Sequence, residues 1–189
     1  MNADLQRVEI TSASTLWDWL EINHGQEQSI WLVTWKASHR DKYVSRDEVL
    51  DALIAYGWID GRRMKLDDQR TIQLLSPRKQ QNWAQTYKTR AEKLGREGRM
   101  LEPGRQAIQV SKSLGKWSEL EHVDALEESD DLVVALTNQK AKSWWDNAAP
   151  SYRRNILRFI ASAKKPETRV KRIAIVSDHA ARGEKVPNY

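Results

Sequence analysis

Gly57-Trp58-Ile59-Asp60-Gly61 constrains this sequence more than any other stretch. A strong helix start precedes it: Ser45-Arg46-Asp47-Glu48 has the form of a capping box, with Ser45 as N-cap and Glu48 three residues on. The helix it opens carries Val49, Leu50, Leu53, Ile54 and Tyr56 on one apolar face, and Gly57 closes it. A helix ending on glycine predicts a left-handed backbone at Gly57, which only glycine adopts without steric cost. Beyond the motif, Arg62 to Leu66 and Thr71 to Leu75 read as two strands joined by a turn at Asp67-Asp68-Gln69. Met64, Leu66, Ile72 and Leu74 alternate with polar residues, so one face of that hairpin is buried. Ser76-Pro77 ends the second strand and Arg78 follows.

The rest of the chain fits around this hairpin. Val8 to Thr11 is a short strand-like run, and Ser12 or Ser14 caps a helix bearing Leu16, Trp17, Trp19 and Leu20. Ser29 to Lys36 is β-branched and aromatic, of strand length. A helix from about Asn82 to Glu97 sets Trp83, Tyr87, Ala91 and Leu94 on one stripe, and Pro103 opens another helix. Near the C-terminus, three helices are expected: Asp131 to Thr137, Pro150 to Ala163, and one starting at Pro166. The fold class is therefore α+β, a small, mainly antiparallel sheet with flanking helices, then a C-terminal helical segment of about three helices. Residues 1–114 form the α+β domain and residues 132–189 the helical segment. Between them, residues 115–131 carry seven acidic side chains against Lys116 alone and read as an acidic linker.

Nine tryptophans accompany a single phenylalanine, so the core rests on indoles, each needing a partner for its N–H when buried. Trp17, Trp31, Trp58 and Trp83 occupy core-like positions, while Trp144 and Trp145 cannot both face inward from one helix. The absence of cysteine excludes disulfides, thiol catalysis and cysteine-ligated zinc. The four histidines have no metal-binding spacing, and no Walker, G-x-S-x-G or G-x-G-x-x-G sequence occurs. No metal and no cofactor are expected. The opening residues lack an apolar core of signal-peptide type, and no stretch is long and apolar enough to span a membrane, so a cytoplasmic location is the expectation.

The net charge of +5 favours acidic partners. Residues 62–99 hold eleven basic side chains against four acidic ones, and residues 153–172 hold eight against one. They read either as solvated faces or as a site for phosphate or carboxylate groups. The candidate anion-binding residues are Asp60, Arg62, Arg63, Arg78, Lys79, Lys164, Arg169 and Arg172. Asp60 either fixes the turn after Gly57 through backbone N–H groups or serves as an acid or base in a small pocket beside the arginines. In the last helix, Arg169 or Arg172 is expected to meet Asp60 or a nearby carbonyl. An anionic ligand or a protein partner fits this layout. Nucleic-acid binding, if present, is weak, nonspecific and salt-sensitive. The sequence leaves the oligomeric state open.

Several short motifs carry a family resemblance. Gly57-Trp58-Ile59-Asp60-Gly61, Ser76-Pro77-Arg78, Asn82-Trp83, Glu97-Gly98-Arg99-Met100 with Pro103-Gly104, and Ala163-Lys-Lys-Pro-Glu-Thr-Arg-Val-Lys-Arg-Ile173 together resemble the YdeI/OmpD-associated, or bacteriocin-protection, family. The resemblance runs from Trp17-Asp18-Trp19-Leu20 to the last helix. Ala55-Tyr56 and Leu75-Ser76 depart from the residues usual in that family at those places. The resemblance implies an α+β part followed by a helical part. On function it implies little: the family's name attaches it to resistance against bacteriocins or cationic peptides and to an outer-membrane porin, and members are sometimes described as envelope-associated. The resemblance brings no catalytic residues. The leading expectation is a non-enzymatic stress-resistance or interaction protein whose basic face meets an anionic partner. Set beside it are two other classes of function, a nucleic-acid-binding protein and a small enzyme acting on an anionic substrate.

Overall fold

A computed structural model describes residues 5–188. The chain divides into two compact units, one reaching Ser118 and the other starting at Glu119. The first is α+β and the second is all helical.

The N-terminal unit runs β1 (Arg7–Glu9), α1 (Ala13–Asn23), β2 (Ile30–Trp35), α2 (Arg46–Ala55), β3 (Trp58–Lys65), β4 (Arg70–Pro77), α3 (Gln85–Arg96) and α4 (Glu102–Ser113). The four strands form one sheet in the order β1-β2-β4-β3. β1 pairs parallel to β2, and the other two pairings are antiparallel. Local chemistry sets the element ends. Ser12 caps α1 by accepting from the Thr15 N–H. The capping box of α2 is complete, the Ser45 hydroxyl accepting from the Glu48 N–H while the Glu48 carboxylate accepts from the Ser45 N–H. Ser45→Ala should therefore cost about 1 kcal/mol in a denaturant titration. Gly57 has φ +71°, as expected. The β3–β4 turn is held by Asp67, whose Oδ1 accepts from the N–H groups of Gln69 and Arg70 at 2.8 and 2.7 Å.

β3 starts directly at Trp58, earlier than the alternation pattern suggests, and β4 continues through Ser76-Pro77. Within β3 the register with β4 slips between Asp60 and Arg63, a β-bulge at Gly61-Arg62. Asp60 and Met64 would share a face in an unbroken strand. The bulge separates them. Asp60 lies opposite Leu75 on the face that also holds Ile30 and Leu32 of the main core, whereas Met64 lies opposite Ile72 in a smaller cluster with Trp31 and Val33.

The main core packs the helices on the sheet through Leu16, Leu20, Leu53, Ile54, Trp58, Leu75, Trp83 and Leu94, all fully or almost fully buried. Two fully buried indoles find partners as anticipated, Trp58 Nε1 donating to the His24 carbonyl at 3.0 Å and Trp83 Nε1 to Ser111 Oγ at 2.7 Å, whereas the buried Nε1 of Trp35 has none among the described residues. Trp83 precedes α3 instead of lying on its stripe. α4 crosses the C-terminal end of α2 at very short range. A Cβ on Gly104 would lie 2.5 Å from the carbonyl oxygens of Ile54 and Ala55, and one on Gly57 2.8 Å from that of Pro103.

The second unit comprises α5 (Glu121–Asp124), α6 (Asp130–Asn138), α7 (Lys142–Asn147), α8 (Pro150–Ala161) and α9 (Pro166–Ala181). Three of these match the helices expected from the sequence; α5 and α7 are additional short turns of helix. Its core is built from Val123, Leu132, Leu136, Trp145, Ile156, Ile160 and Val176. Trp145 is fully buried and Trp144 half-buried, in keeping with their adjacency. The acidic stretch from Gly115 to Asp131, read from the sequence as a linker, is largely built into structure. Val123 is fully buried, and Asp124, Glu128 and Asp131 are taken up by Arg158, Arg153 and Arg169. Charge that looks solvated in sequence is paired across helices.

Candidate anion site

The site of greatest interest in the N-terminal unit gathers around Asp60. The bulge turns this residue toward the helix-covered side of the sheet, where its carboxylate is 9% exposed. One oxygen accepts a short hydrogen bond from the Tyr87 hydroxyl on α3, and the other accepts from Gln73 Nε2 on β4 at 3.2 Å. Arg46, the first residue of α2, brings a guanidinium nitrogen to 4.0 Å while staying 69% exposed. Asp60 therefore fixes no turn through backbone N–H groups. Among the described residues its hydrogen bonds come from side chains, because the bulge points it inward instead of along the chain.

Arg78 sits just past this carboxylate, at the end of β4. Its backbone N–H donates to the Gly57 carbonyl at 2.9 Å, tying the strand end to the glycine that ends α2. Its side chain is only 8% exposed. The guanidinium carbon lies 4.0 Å from the Trp83 ring centroid and 5.3 Å from that of Tyr87, so an aromatic pair flanks the charge. Nη1 donates to the carbonyls of Asn82 at 3.2 Å and Gln81 at 3.4 Å. Nε and Nη2 have no partner among the described residues. Burial lowers the Arg78 pKa to about 10, opposed by the Tyr87 hydroxyl and the Asp60 charge. Burial raises that of Tyr87 to about 12, reinforced by its hydrogen bond to Asp60. Both groups keep their protons at neutral pH.

Two hollows flank this cluster. One of about 180 Å³ lies between α2 and α3, lined by Arg46, Leu50, Tyr87 and Arg90. The other, of about 480 Å³, is walled by His24, Glu27, Gly57, Arg78, Lys79 and Gln106 among others.

The remaining sequence candidates fall in different surroundings. Arg62 projects into solvent from the bulge. Arg63 donates to the hydroxyls of Thr71 and Thr34 at 2.9 and 3.2 Å. Lys79 is exposed, with its backbone N–H held by Gln81 Oε1. In the second unit, Lys164 is exposed ahead of α9. Arg169 makes a forked pair with Asp131 at 2.7 and 2.9 Å and also donates to Ser129 Oγ. Arg172 donates to the Phe159 carbonyl and, at 2.8 Å, to Ser162 Oγ, a cation set on the last turn of α8 where the helix dipole favours it. Each of these side chains has partners within its own unit: Arg169 pairs with Asp131, Arg172 with the end of α8, and Asp60 with Tyr87. Arg169 holds the Asp131 carboxyl at about 2, well below its ordinary 3.8. A depressed carboxylate stabilises the fold fully above its unfolded pKa and loses that contribution as pH falls through the folded one. Acid titration of the second unit should therefore show a modest loss between about pH 4 and pH 2, reduced in Arg169→Ala, where Ser129 and the Leu132 N–H still hold the carboxylate. The effect stays small because Asp131 is 47% exposed.

Sequence reasoning missed Tyr87, Gln73 and Arg46. The helical spacing puts Tyr87 on an apolar stripe, and only the hydroxyl at its end distinguishes that role from the one it plays. Gln73 carries a signal in retrospect: it is a polar side chain at an inward position of a strand whose neighbours Ile72 and Leu75 are buried.

Comparison with family models accounts for both units. One model, described as a domain of unknown function (DUF8412), matches residues 8–107, more than half of the chain. Another, described as bacteriocin-protection, YdeI or OmpD-associated, matches residues 125–183. The chain is a DUF8412 family member carrying a YdeI/OmpD-associated domain. No curated protein and no solved structure matches it. The resemblance drawn from the sequence holds, with its extent redrawn. Of the quoted motifs, the segment from Ala163 to Ile173 lies inside the YdeI/OmpD-associated match, while Gly57-Trp58-Ile59-Asp60-Gly61, Ser76-Pro77-Arg78 and Pro103-Gly104 lie in the DUF8412 part. No helix among the described residues is long and apolar enough to cross a membrane.

Proposed function

We propose that this DUF8412 family member is a non-enzymatic interaction protein of the cytoplasm. Its role is resistance to bacteriocins or other cationic peptides, and its basic residues engage an anionic partner. The matched description of residues 125–183 supports the protective role. The observation that carries the non-enzymatic reading is the occupancy of Asp60, the one candidate acid or base beside the arginines. Both its oxygens are engaged, by Tyr87 and Gln73, and it is nearly closed to solvent. A general base must reach a substrate proton within hydrogen-bond distance, and this carboxylate offers no free approach. Arg46, Arg78 and Lys79 around it supply positive charge suited to binding.

Asp60→Asn separates binding from chemistry, since it keeps the shape and an acceptor for Tyr87 while removing the charge. Bacteria producing the wild-type protein should survive a cationic-peptide challenge better than an empty-vector strain, and Asp60→Asn should protect equally. Loss of protection by a variant that melts at the wild-type temperature would make Asp60 a reacting group. Binding to a single-stranded oligonucleotide is expected to be weak and largely gone by about 200 mM salt. The reason is that Arg70, Arg90 and Arg99 of the basic segment are already paired with carboxylates. Tight binding of one sequence at high salt would put nucleic acid first.

A further inference from the structure

We infer that the hollow walled by Arg78 and Lys79 is a specific subsite for an oxyanion, a carboxylate or phosphate group of the ligand. This deepens the anion-binding reading above and rests on it. The cavity of about 480 Å³ brings together Arg78, Lys79 and His24, with Glu27 as the acid in its lining. Its decisive feature is Arg78. The side chain is more than nine-tenths buried, yet Nε and Nη2 have no hydrogen-bond partner among the described residues. A buried guanidinium with unmade bonds is costly unless something completes them. Trp83 and Tyr87 stabilise the charge through their faces but accept nothing from in-plane N–H groups. Asp60 is committed to Tyr87 and Gln73, and Gln81 and Asn82 take only Nη1. What stays unpartnered is the Nε–Nη2 edge, the pair of parallel donors whose spacing matches two oxygens of a carboxylate or phosphate, and both atoms are closed to solvent behind their neighbours. The fold gives this residue its place through the Gly57 carbonyl, which holds the Arg78 N–H, and Gly57 itself belongs to the cavity wall. Lys79 adds a second charge from an exposed position on the same wall.

The test reads the arginine itself. In uniformly ¹⁵N-labelled full-length protein, the Arg78 Nε–H signal is identified by its loss in Arg78→Lys. If that variant does not fold, the signal is assigned through bonds from the wild-type backbone. Sodium phosphate and sodium acetate are titrated separately, each against sodium chloride at matched ionic strength. A saturable shift of this one signal with phosphate, acetate or both, and not with chloride, is the expected result. Phosphate alone assigns a phosphate-bearing ligand, and saturation by acetate extends the site to carboxylates. No shift, or a non-saturating drift equal to that in chloride, overturns the subsite and leaves the edge unpartnered. Peptide protection by Asp60→Asn is indifferent to this outcome, so the subsite can fail while the broader reading stands.

Discussion

Replacing Gly104 by alanine is expected to destabilise the N-terminal unit by about 3 kcal/mol, near the top of the range for overpacked interiors. Alanine ordinarily gains over glycine inside a helix, by roughly 1 kcal/mol. Here the methyl would stand 2.5 Å from two carbonyl oxygens at the end of α2 and 2.7 Å from the Met100 sulfur. Met100 can swing away, but the carbonyls of Ile54 and Ala55 are backbone and cannot. The helix α4 must retreat from α2, loosening its packing against the fully buried Ile54 and Ala55 side of the core. Gly57→Ala pushes on the same turn from the other side, since its methyl would meet the Pro103 carbonyl at 2.8 Å, and it adds a positive-φ penalty of about 1–2 kcal/mol. Once α4 has moved, the second methyl meets less resistance, so the double variant should cost less than the sum of the two. Gly95 provides the control. It lies in α3, where an added methyl would have nothing within 4 Å, and Gly95→Ala should raise stability by about 0.5–1 kcal/mol. Urea midpoints of the four variants decide the matter; if Gly104→Ala and Gly95→Ala move in the same direction, the close crossing is not a structural constraint.

The same region shows what could be read in advance. The start of α2, its stop at Gly57 and the hairpin turn at Asp67 were legible because each depends on residues within three or four positions of one another. The bulge was not. Gly61 in a Gly-Trp-Ile-Asp-Gly run suits a turn as well as a bulge, and only pairing with β4 chooses between them. That choice decides the site, because it turns Asp60 inward under Tyr87. Asp60 and Arg78 could be singled out by type, whereas Tyr87 could not be told from a core aromatic. Charge was the least legible quantity. Counting residues along the chain made 115–131 an acidic linker, yet three of its seven carboxylates find arginines 25 to 38 positions later, at separations no local pattern reports.

Glu128→Ala is the sharpest consequence of that long-range pairing, with an expected loss of about 3–5 kcal/mol in the second unit. The residue looks like one acid among several in a charged run. In the fold its carboxylate is 11% exposed and serves three donors: Trp145 Nε1 at 2.9 Å, Arg153 Nη2 at 2.6 Å and Lys142 Nζ at 3.3 Å. Truncation leaves an indole N–H unpaired in the middle of the core and strands the Arg153 guanidinium, itself only 17% exposed, without its counter-ion. Both penalties arise from desolvated groups, so salt should relieve them little. Glu128→Gln separates the two. Its amide oxygen can still accept from Trp145, which removes the first penalty and keeps much of the second, so an intermediate loss is expected. Glu127→Ala, one residue away on an exposed position, should stay within about 0.5 kcal/mol of wild type. The order Glu127→Ala, Glu128→Gln, Glu128→Ala in denaturant midpoint is what the pairing requires. Equal midpoints for Glu127→Ala and Glu128→Ala would return this segment to the solvated linker its composition suggests.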